Sequence, residues 1–196
     1  DAAALFVSEG AKWVSGNSKR LAAFQKLAAR GGGLTGLHWG IGTRKAEPIP
    51  AFLALLGGCH GGPDRKYTVV TARVTPTGAP HPVLNGIRAF EIKDEFYYKL
   101  KFARGKPGVT PLLKVPINGS PETVSWAWRR PGGGRSFGFS GLHFHANWQT
   151  PQYRRLVVQG ILWTLKQPVP AGGVKVPLAP GDLDLPRPTT PKSPTR

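Results

Sequence analysis

Hydrophobic positions near the start of the chain predict a strand, a helix and a second strand. A short apolar run at residues 5–7 is typical of a buried strand, and apolar side chains recur at helical spacing from about Asn17 to Arg30. Gly31 can end this helix, and the apolar stretch from Leu34 to His38 follows as the second strand. Elements in this order predict a parallel pair of strands joined by a right-handed crossover.

Further along the chain, alternating apolar residues and turn signals predict a strand-rich middle and one closing helix. The pattern predicts a short helix at 50–56, strands at 67–74, near 89–92 and at 112–117, a hairpin of 122–130 with 135–145, and a helix from Thr150 to about Leu165. The chain contains 26 Gly and 20 Pro, which excludes a helical bundle and suits short strands and turns. We therefore predict a mixed α/β fold.

The composition changes after residue 166. Eight of the thirty residues from 167 to 196 are proline, and few of the others are large and apolar, so this stretch has little to bury. We therefore predict one folded domain over residues 1–166 and a Pro-rich disordered tail over residues 167–196.

The charge of the chain is strongly positive, with 27 Lys and Arg against 10 Asp and Glu and a net charge of +17. Such a balance attracts a polyanion such as nucleic acid, or an anionic small substrate. The basic residues are scattered and form no recognition motif, so a non-specific nucleic-acid binder is the weaker alternative. The longest apolar run, residues 51–56, is too short to cross a bilayer, so no membrane partner is expected.

Cysteine and methionine usage adds two constraints. Cys59 is the single cysteine, which excludes an internal disulfide and a multi-cysteine zinc cluster. The chain contains no methionine and therefore lacks an initiator residue, so we expect that a segment preceding Asp1 has been lost.

The clearest candidate for chemistry is His38. Gly36 and Gly40 flank it in a Gly-x-His-x-Gly pattern at the end of a predicted parallel strand, which predicts a sharp elbow that presents the imidazole above the carboxyl edge of the sheet. A serine or cysteine there would be a nucleophile, whereas an imidazole is a base, an acid or a metal ligand. A strand-end turn with a hydrogen-bonded histidine is the alternative.

A second candidate is the pair His143 and His145. In an extended segment, residues two apart lie on the same face, which is the spacing that two metal ligands or an acid–base pair need. The alternative is a polar strand end whose imidazoles bond to backbone and water. Trp39 and Trp148 lie beside the candidate histidines in the sequence and could form the walls of a pocket.

Asp94 and Glu95 precede the aromatic residues 96–98. Carboxylates among aromatic rings can acquire a raised pKa for acid–base chemistry or line a sugar site. The alternative is a surface loop in which the carboxylates pair with the surplus Lys and Arg, and we favour it for Asp94 more than for Glu95.

The remaining motifs give weaker evidence for a functional site. Cys59 and His60 are adjacent in a Gly-rich loop, and because adjacent residues rarely chelate one metal together, at most one of them is expected to contribute to a site. No phosphate-binding loop and no Gly-x-Gly-x-x-Gly fingerprint follows a predicted strand, so a nucleotide cofactor is not expected.

Five segments together resemble the successive motifs of the ThuA-like (trehalose utilisation) family. They are GGGLTGLH at 31–38, LLGG at 55–58, HPVLNGI at 81–87, DEFY at 94–97 and GILW at 160–163. The resemblance covers nearly all of residues 1–166. It implies the fold of the class I glutamine amidotransferases, a flavodoxin-like three-layer sandwich, with its N-terminal strand and helix missing before Asp1.

The resemblance also bears on the reaction. Class I amidotransferases carry a cysteine where His38 stands and a His-x-Glu pair that falls on His145 and Asn147. Without the thiol and the orienting carboxylate, glutamine hydrolysis through a thioester is not expected. What the resemblance implies instead is carbohydrate catabolism, acting on a trehalose-like disaccharide or an oxidised sugar.

These observations predict one site at the carboxyl edge of the sheet. Its catalytic residues are predicted to be His38, Glu95 and His145, with a divalent metal (zinc, manganese or iron) on His38, His143 and His145. The predicted substrate-binding walls are Trp39, Tyr97 and Trp148. A sugar-binding or structural module without catalysis is the alternative.

Overall fold

A seven-stranded mixed sheet forms the middle layer of the protein. The computed structural model describes residues 1–105 and 108–185. Its strands are β1 (Ala2–Leu5), β2 (Gly33–Leu37), β3 (Gly42–Thr43), β4 (Gly58–Gly61), β5 (Lys66–Pro76), β6 (Phe90–Tyr98), β7 (Lys101–Phe102), β8 (Thr110–Ile117), β9 (Ser120–Arg129) and β10 (Arg135–Phe139). The helices are α1 (Gly10–Ser15), α2 (Ser18–Ala29), α3 (Ile49–Leu56) and α4 (Pro151–Thr164).

The strand order of the large sheet is β1-β2-β10-β9-β8-β5-β6. β2 pairs in parallel with β1 and with β10, which confirms the predicted parallel pair at the start of the chain. The remaining pairs of this sheet are antiparallel. Strands β3, β4 and β7 form a second, small sheet.

Helices cover both faces of the large sheet, and each face has its own hydrophobic core. Residues of α1 and α3 share one core with Leu34 and Trp126, whereas residues of α4 share the other core with Leu37 and Phe137. Because successive side chains of a strand point to opposite faces, Leu34 and Leu37 of β2 enter different cores. The fold is therefore mixed α/β, as the hydrophobic pattern predicts, and it is a flavodoxin-like three-layer sandwich, as the family resemblance implies.

Two predicted elements differ from the structure. The predicted strand over 135–145 ends at Phe139, and the chain then forms a loop and a 3-10 helix at His145–Gln149. Leu142 adopts a left-handed φ of 84°, which ends the extended conformation before the two histidines are reached. The premise that His143 and His145 share one face of a strand is therefore wrong.

The described part of the predicted tail, residues 167–185, contacts the folded domain. Asn85 Nδ2 donates to the carbonyl oxygens of Val169 and Pro170, and the Val174 N–H donates to Gln159 Oε1 at 2.7 Å. These bonds attach the segment to the domain through its backbone groups. Residues 186–196 of the predicted tail lie outside the described residues.

The helices of the described residues are too short or too polar to cross a membrane.

Candidate functional site

His38 follows β2 directly, in the elbow that the glycine pattern predicts. Its φ is 47°, a left-handed conformation that a residue with a side chain rarely adopts, and it begins a 3-10 helix at His38–Ile41. Gly36 and Gly40 permit the close packing around it: a Cβ on Gly40 would lie 2.3 Å from the Leu5 carbonyl oxygen, and one on Gly36 would lie 2.6 Å from Leu56. The elbow conformation is therefore confirmed.

The elbow brings His38 to a carboxylate and a second imidazole from distant parts of the chain. His38 Nε2 lies 3.2 Å from His143 Nδ1 and 3.9 Å from Glu95 Oε1, and His143 Nδ1 lies 3.6 Å from the same carboxylate oxygen. His38 and Glu95 are largely shielded from solvent, whereas His143 lies at the rim. We call these three residues the His-Glu-His cluster.

Hydrogen bonding determines which nitrogen of His38 faces the cluster without a proton. Nδ1 lies 3.1 Å from the Ser140 carbonyl oxygen, and because a carbonyl oxygen only accepts, Nδ1 carries the proton. In the neutral ring, Nε2 is then an acceptor, 3.0 Å from the Tyr97 hydroxyl. Burial lowers the pKa of His38, which favours this neutral form at physiological pH.

Strand β6 supplies the carboxylate and an aromatic wall. Glu95 and Tyr97 are two residues apart on this strand and point to the same face. The Tyr97 ring is stacked with the imidazoles of His38 and His60, at centroid distances of 4.8 and 4.3 Å. Burial and the neighbouring Glu95 raise the pKa of the Tyr97 hydroxyl, so the phenol remains protonated at neutral pH.

The loop that carries His143 is held by Asp94, whose side chain points to the opposite face of β6. Asp94 is completely buried, and its carboxylate accepts hydrogen bonds from the backbone N–H groups of Leu142 and His143 and from the Tyr153 hydroxyl, at 2.7, 3.1 and 2.7 Å. The interpretation of Asp94 as a surface residue paired with Lys or Arg is therefore wrong. A carboxylate that accepts several internal hydrogen bonds can be buried without a cation.

A cleft of about 570 Å³ opens above the His-Glu-His cluster. Trp39 and Tyr97, two of the predicted wall residues, line it. The three residues of the His-Glu-His cluster also line it, and the remaining lining residues were not predicted as site residues; they are Phe6, Val7, Ser8, Arg44, His60, Arg65, Tyr67 and Leu142. The volume is in the range typical of small-molecule sites.

Two of the unpredicted lining residues are arginines anchored by contacts at the cleft. Glu9, itself buried, accepts hydrogen bonds from the Arg44 backbone N–H and from Arg44 Nη1, both at 2.9 Å. The bond from the Arg44 backbone holds the pKa of Glu9 below its usual range. Arg65 Nη1 donates to the Gly62 carbonyl oxygen at 3.3 Å. No local sequence motif marks these arginines, because only the tertiary fold brings them to His38.

The structure does not bring His145 and Trp148 to the cleft. His145 Nε2 donates to the Leu183 carbonyl oxygen at 2.9 Å, and its ring is exposed. Trp148 packs against the core that contains α4. Because the chain turns into a 3-10 helix at His145, only the first of the two histidines points toward His38.

The donor set of the His-Glu-His cluster fits a divalent metal ion. Ligands about 2.1 Å from a tetrahedral ion lie about 3.4 Å from one another, and the three separations of 3.2, 3.6 and 3.9 Å bracket that value. The Ser140 carbonyl orients His38 through its other ring nitrogen, as the outer contacts of metal-bound histidines do. Two imidazoles and one carboxylate suit zinc, manganese or iron and leave further positions open for water or substrate.

Comparisons with known proteins agree with this architecture. The family model ThuA, described as trehalose utilisation, matches residues 3–164. A crystal structure of a ThuA-like protein from Bacteroides uniformis is similar with a TM-score of 0.66 and 17% sequence identity, covering 85% of this chain and 70% of the other. The structure of PurLQS from Thermotoga maritima is similar with a TM-score of 0.50 and 18% identity, covering 82% and 74%. No curated protein sequence matches the chain.

Proposed function

Because the chain belongs to the ThuA family, described as trehalose utilisation, we propose that it acts on a carbohydrate in the cleft above His38. The proposed substrate is a trehalose-like disaccharide or an oxidised sugar, and the proposed chemistry is metal-assisted acid–base catalysis. One observation carries this proposal, namely the convergence of His38 Nε2, His143 Nδ1 and Glu95 Oε1 at the floor of the cleft.

A metal ion at this position would polarise a carbonyl or hydroxyl oxygen of the sugar. The residues of the chain would hold it and orient the substrate. His38 keeps its Nε2 lone pair directed into the cluster because Ser140 fixes the proton on Nδ1. Glu95 adds a carboxylate oxygen to the two imidazole nitrogens.

Tyr97 is the proposed hydrogen-bond donor to the substrate. Its hydroxyl lies 3.0 Å from His38 Nε2, and its raised pKa keeps the proton on the phenol oxygen at neutral pH. A protonated hydroxyl beside the cluster can donate a hydrogen bond to a sugar oxygen. The rings of Trp39, Tyr67 and Tyr97 line the cleft and supply apolar faces for the C–H surfaces of a sugar ring.

The state of the single cysteine argues against a thioester mechanism. The elbow carries His38 where class I amidotransferases carry their nucleophile, and Cys59 is buried in the core. Burial raises the pKa of the Cys59 thiol to about 12, so the reactive thiolate is not formed near neutral pH. We therefore propose that the protein does not hydrolyse glutamine.

The metal-binding part of the proposal is tested by metal analysis and by titration with Zn²⁺ and Mn²⁺. The wild-type chain should bind one ion, and His143→Ala and Glu95→Gln should weaken binding about 100-fold or more through loss of a ligand. His145→Ala is the matched control, since it removes an exposed imidazole two residues away that lies outside the cluster. Equal metal affinity of the His143→Ala and His145→Ala variants would contradict the proposed site.

The carbohydrate part of the proposal is tested by calorimetry with trehalose and glucose, followed by product analysis with the metal-loaded protein. Binding and conversion that are both lost in Tyr97→Phe and His143→Ala would support an enzyme. Binding of sugar that persists without metal and without conversion would instead identify a non-catalytic binding module.

A further inference from the structure

We propose that the substrate carries an anionic group, a carboxylate or a phosphate, that is bound by Arg44 and Arg65 on the wall of the cleft. This inference rests on the proposed carbohydrate function and specifies the class of sugar. It starts from the charges that line the cleft, which are two guanidinium groups and the carboxylate of Glu95.

The balance of these charges favours an anion. Glu95 is placed in the His-Glu-His cluster, 3.6 Å from His143 and 3.9 Å from His38, so its charge faces the imidazoles and any metal ion that they hold. Glu9 lies outside the cleft lining and pairs with Arg44 at 2.9 Å, whereas Arg65 makes no ion pair among the described residues. The cleft wall therefore presents one guanidinium group that is already paired and one without a counter-ion, and the unpaired charge favours an anion over a cation.

Arg44 is positioned to bind a ligand rather than to lie along the surface. Buried Glu9 accepts hydrogen bonds from the Arg44 backbone N–H and from Arg44 Nη1, yet 63% of the Arg44 side chain remains exposed. A guanidinium group has five N–H donors in a planar fork, so the contact with Glu9 leaves donors free. The buried carboxylate therefore orients the group and reduces the entropy that binding would cost.

Arg65 supplies a second guanidinium from another part of the chain. Its Nη1 is anchored on the Gly62 carbonyl oxygen at 3.3 Å, and its side chain is half-buried. A single carbonyl leaves most donors of this group free. Arginine is the residue best suited to recognise carboxylates and phosphates, because its parallel N–H donors match two oxygens.

The experiment compares sugars that differ only in an anionic group. Calorimetry of the metal-loaded protein would measure the affinities for trehalose and trehalose 6-phosphate, and for glucose and glucuronate. We expect the anionic member of at least one pair to bind about tenfold more tightly or better, the effect expected for charge-assisted hydrogen bonds. The pair with the larger difference identifies phosphate or carboxylate as the preferred group.

Variants then assign the preference to the two arginines. Arg44→Gln and Arg65→Gln should each remove most of the anionic advantage, because a neutral amide cannot make a charge-assisted hydrogen bond to the anion. Arg73→Gln, an equal charge change on the exposed part of β5 outside the cleft, is the matched control.

Two results would overturn the inference. One is equal affinity for the neutral and the anionic members of both pairs in the wild type, and the other is an advantage that survives in the double variant of Arg44 and Arg65. If neutral sugars bind in either case, the proposed carbohydrate function still stands. If none of the four sugars binds, both proposals fail.

Discussion

Asp94 Oδ1 lies 3.1 Å from the backbone N–H of His143, so a buried carboxylate on β6 determines where a candidate metal ligand stands. The same carboxylate accepts the Leu142 N–H and the Tyr153 hydroxyl, each at 2.7 Å. Asp94 therefore joins β6, helix α4 and the loop at 140–144. Its neighbour Glu95 points into the cleft, so one strand both supplies a ligand and positions another.

We predict that Asp94→Asn destabilises the protein and weakens metal binding. The amide NH₂ would replace an acceptor that faces two fixed backbone N–H groups, which should lower the free energy of unfolding by about 2–4 kcal/mol. Urea denaturation measures the stability, and a Zn²⁺ titration measures the site. Tyr153→Phe is the control, since it removes one of these donors and should cost only about 1 kcal/mol. Wild-type stability of Asp94→Asn would contradict the assigned role.

A second prediction concerns the elbow. A Cβ on Gly40 would meet the Leu5 carbonyl oxygen at 2.3 Å, and backbone cannot move aside cheaply, so Gly40→Ala should lower stability by about 2 kcal/mol or more and displace His38. Gly132→Ala is the matched control, because no atom lies within 4 Å of the Cβ that it adds. Thermal melts of both variants measure the loss of stability, and a metal titration measures the displacement of His38. Equal melting temperatures would show that the elbow tolerates a side chain.

Local patterns in the sequence predicted the parts of the site that depend on neighbouring residues. The Gly-x-His-x-Gly pattern predicts the elbow because a tight turn and close packing both require glycine at fixed positions. The parallel pairing of β1 and β2 follows from a strand, a helix and a strand in succession. Helix α1 was not predicted, because its six residues are too few to show a helical period and Glu9 before it provides no side-chain cap.

The remaining parts of the site depend on contacts between distant residues. The burial of Asp94 requires donors from the 140–144 loop and from α4, which lie about fifty residues further along the chain. Arg44 and Arg65 reach the cleft only because β3 and β4 lie beside the elbow, and single charges in a basic sequence carry no signal of that. His145 was grouped with His143 because an extended segment was assumed, and one left-handed residue, Leu142, removes that assumption.

Residues 168–176 are predicted to stabilise the folded domain. Gln159 is completely buried; its Nε2 donates to the carbonyls of Val83 and Asn85, and its Oε1 accepts the Val174 N–H at 2.7 Å. A chain that ends at Gln167 would leave Oε1 without that partner, which should cost about 1–3 kcal/mol. Denaturation of this chain beside one that ends at Leu185 tests the prediction. Equal stability of the two truncated chains would show that these bonds contribute nothing.

The last prediction concerns the stability of the protein at acidic pH. His60 is buried against Tyr97, and burial lowers its pKa to about 4, whereas the unfolded chain titrates near 6.5. Between these values the unfolded state binds more protons than the folded state, so stability decreases as the pH falls below about 6.5 and stops responding to this group below about 4.

The contribution of His60 can be separated from that of the other histidines by substitution. When the pH falls from 7.5 to 5, the protonation of His60 in the unfolded chain should lower the wild-type free energy of unfolding by about 2 kcal/mol. His60→Gln cannot take up this proton, so its stability should change less over the same interval, whatever its value at pH 7.5. Urea titrations of the wild type and the variant at the two pH values give the change in the free energy of unfolding with pH for each. A change in His60→Gln as large as that in the wild type would mean that His60 is charged in the folded protein at pH 5.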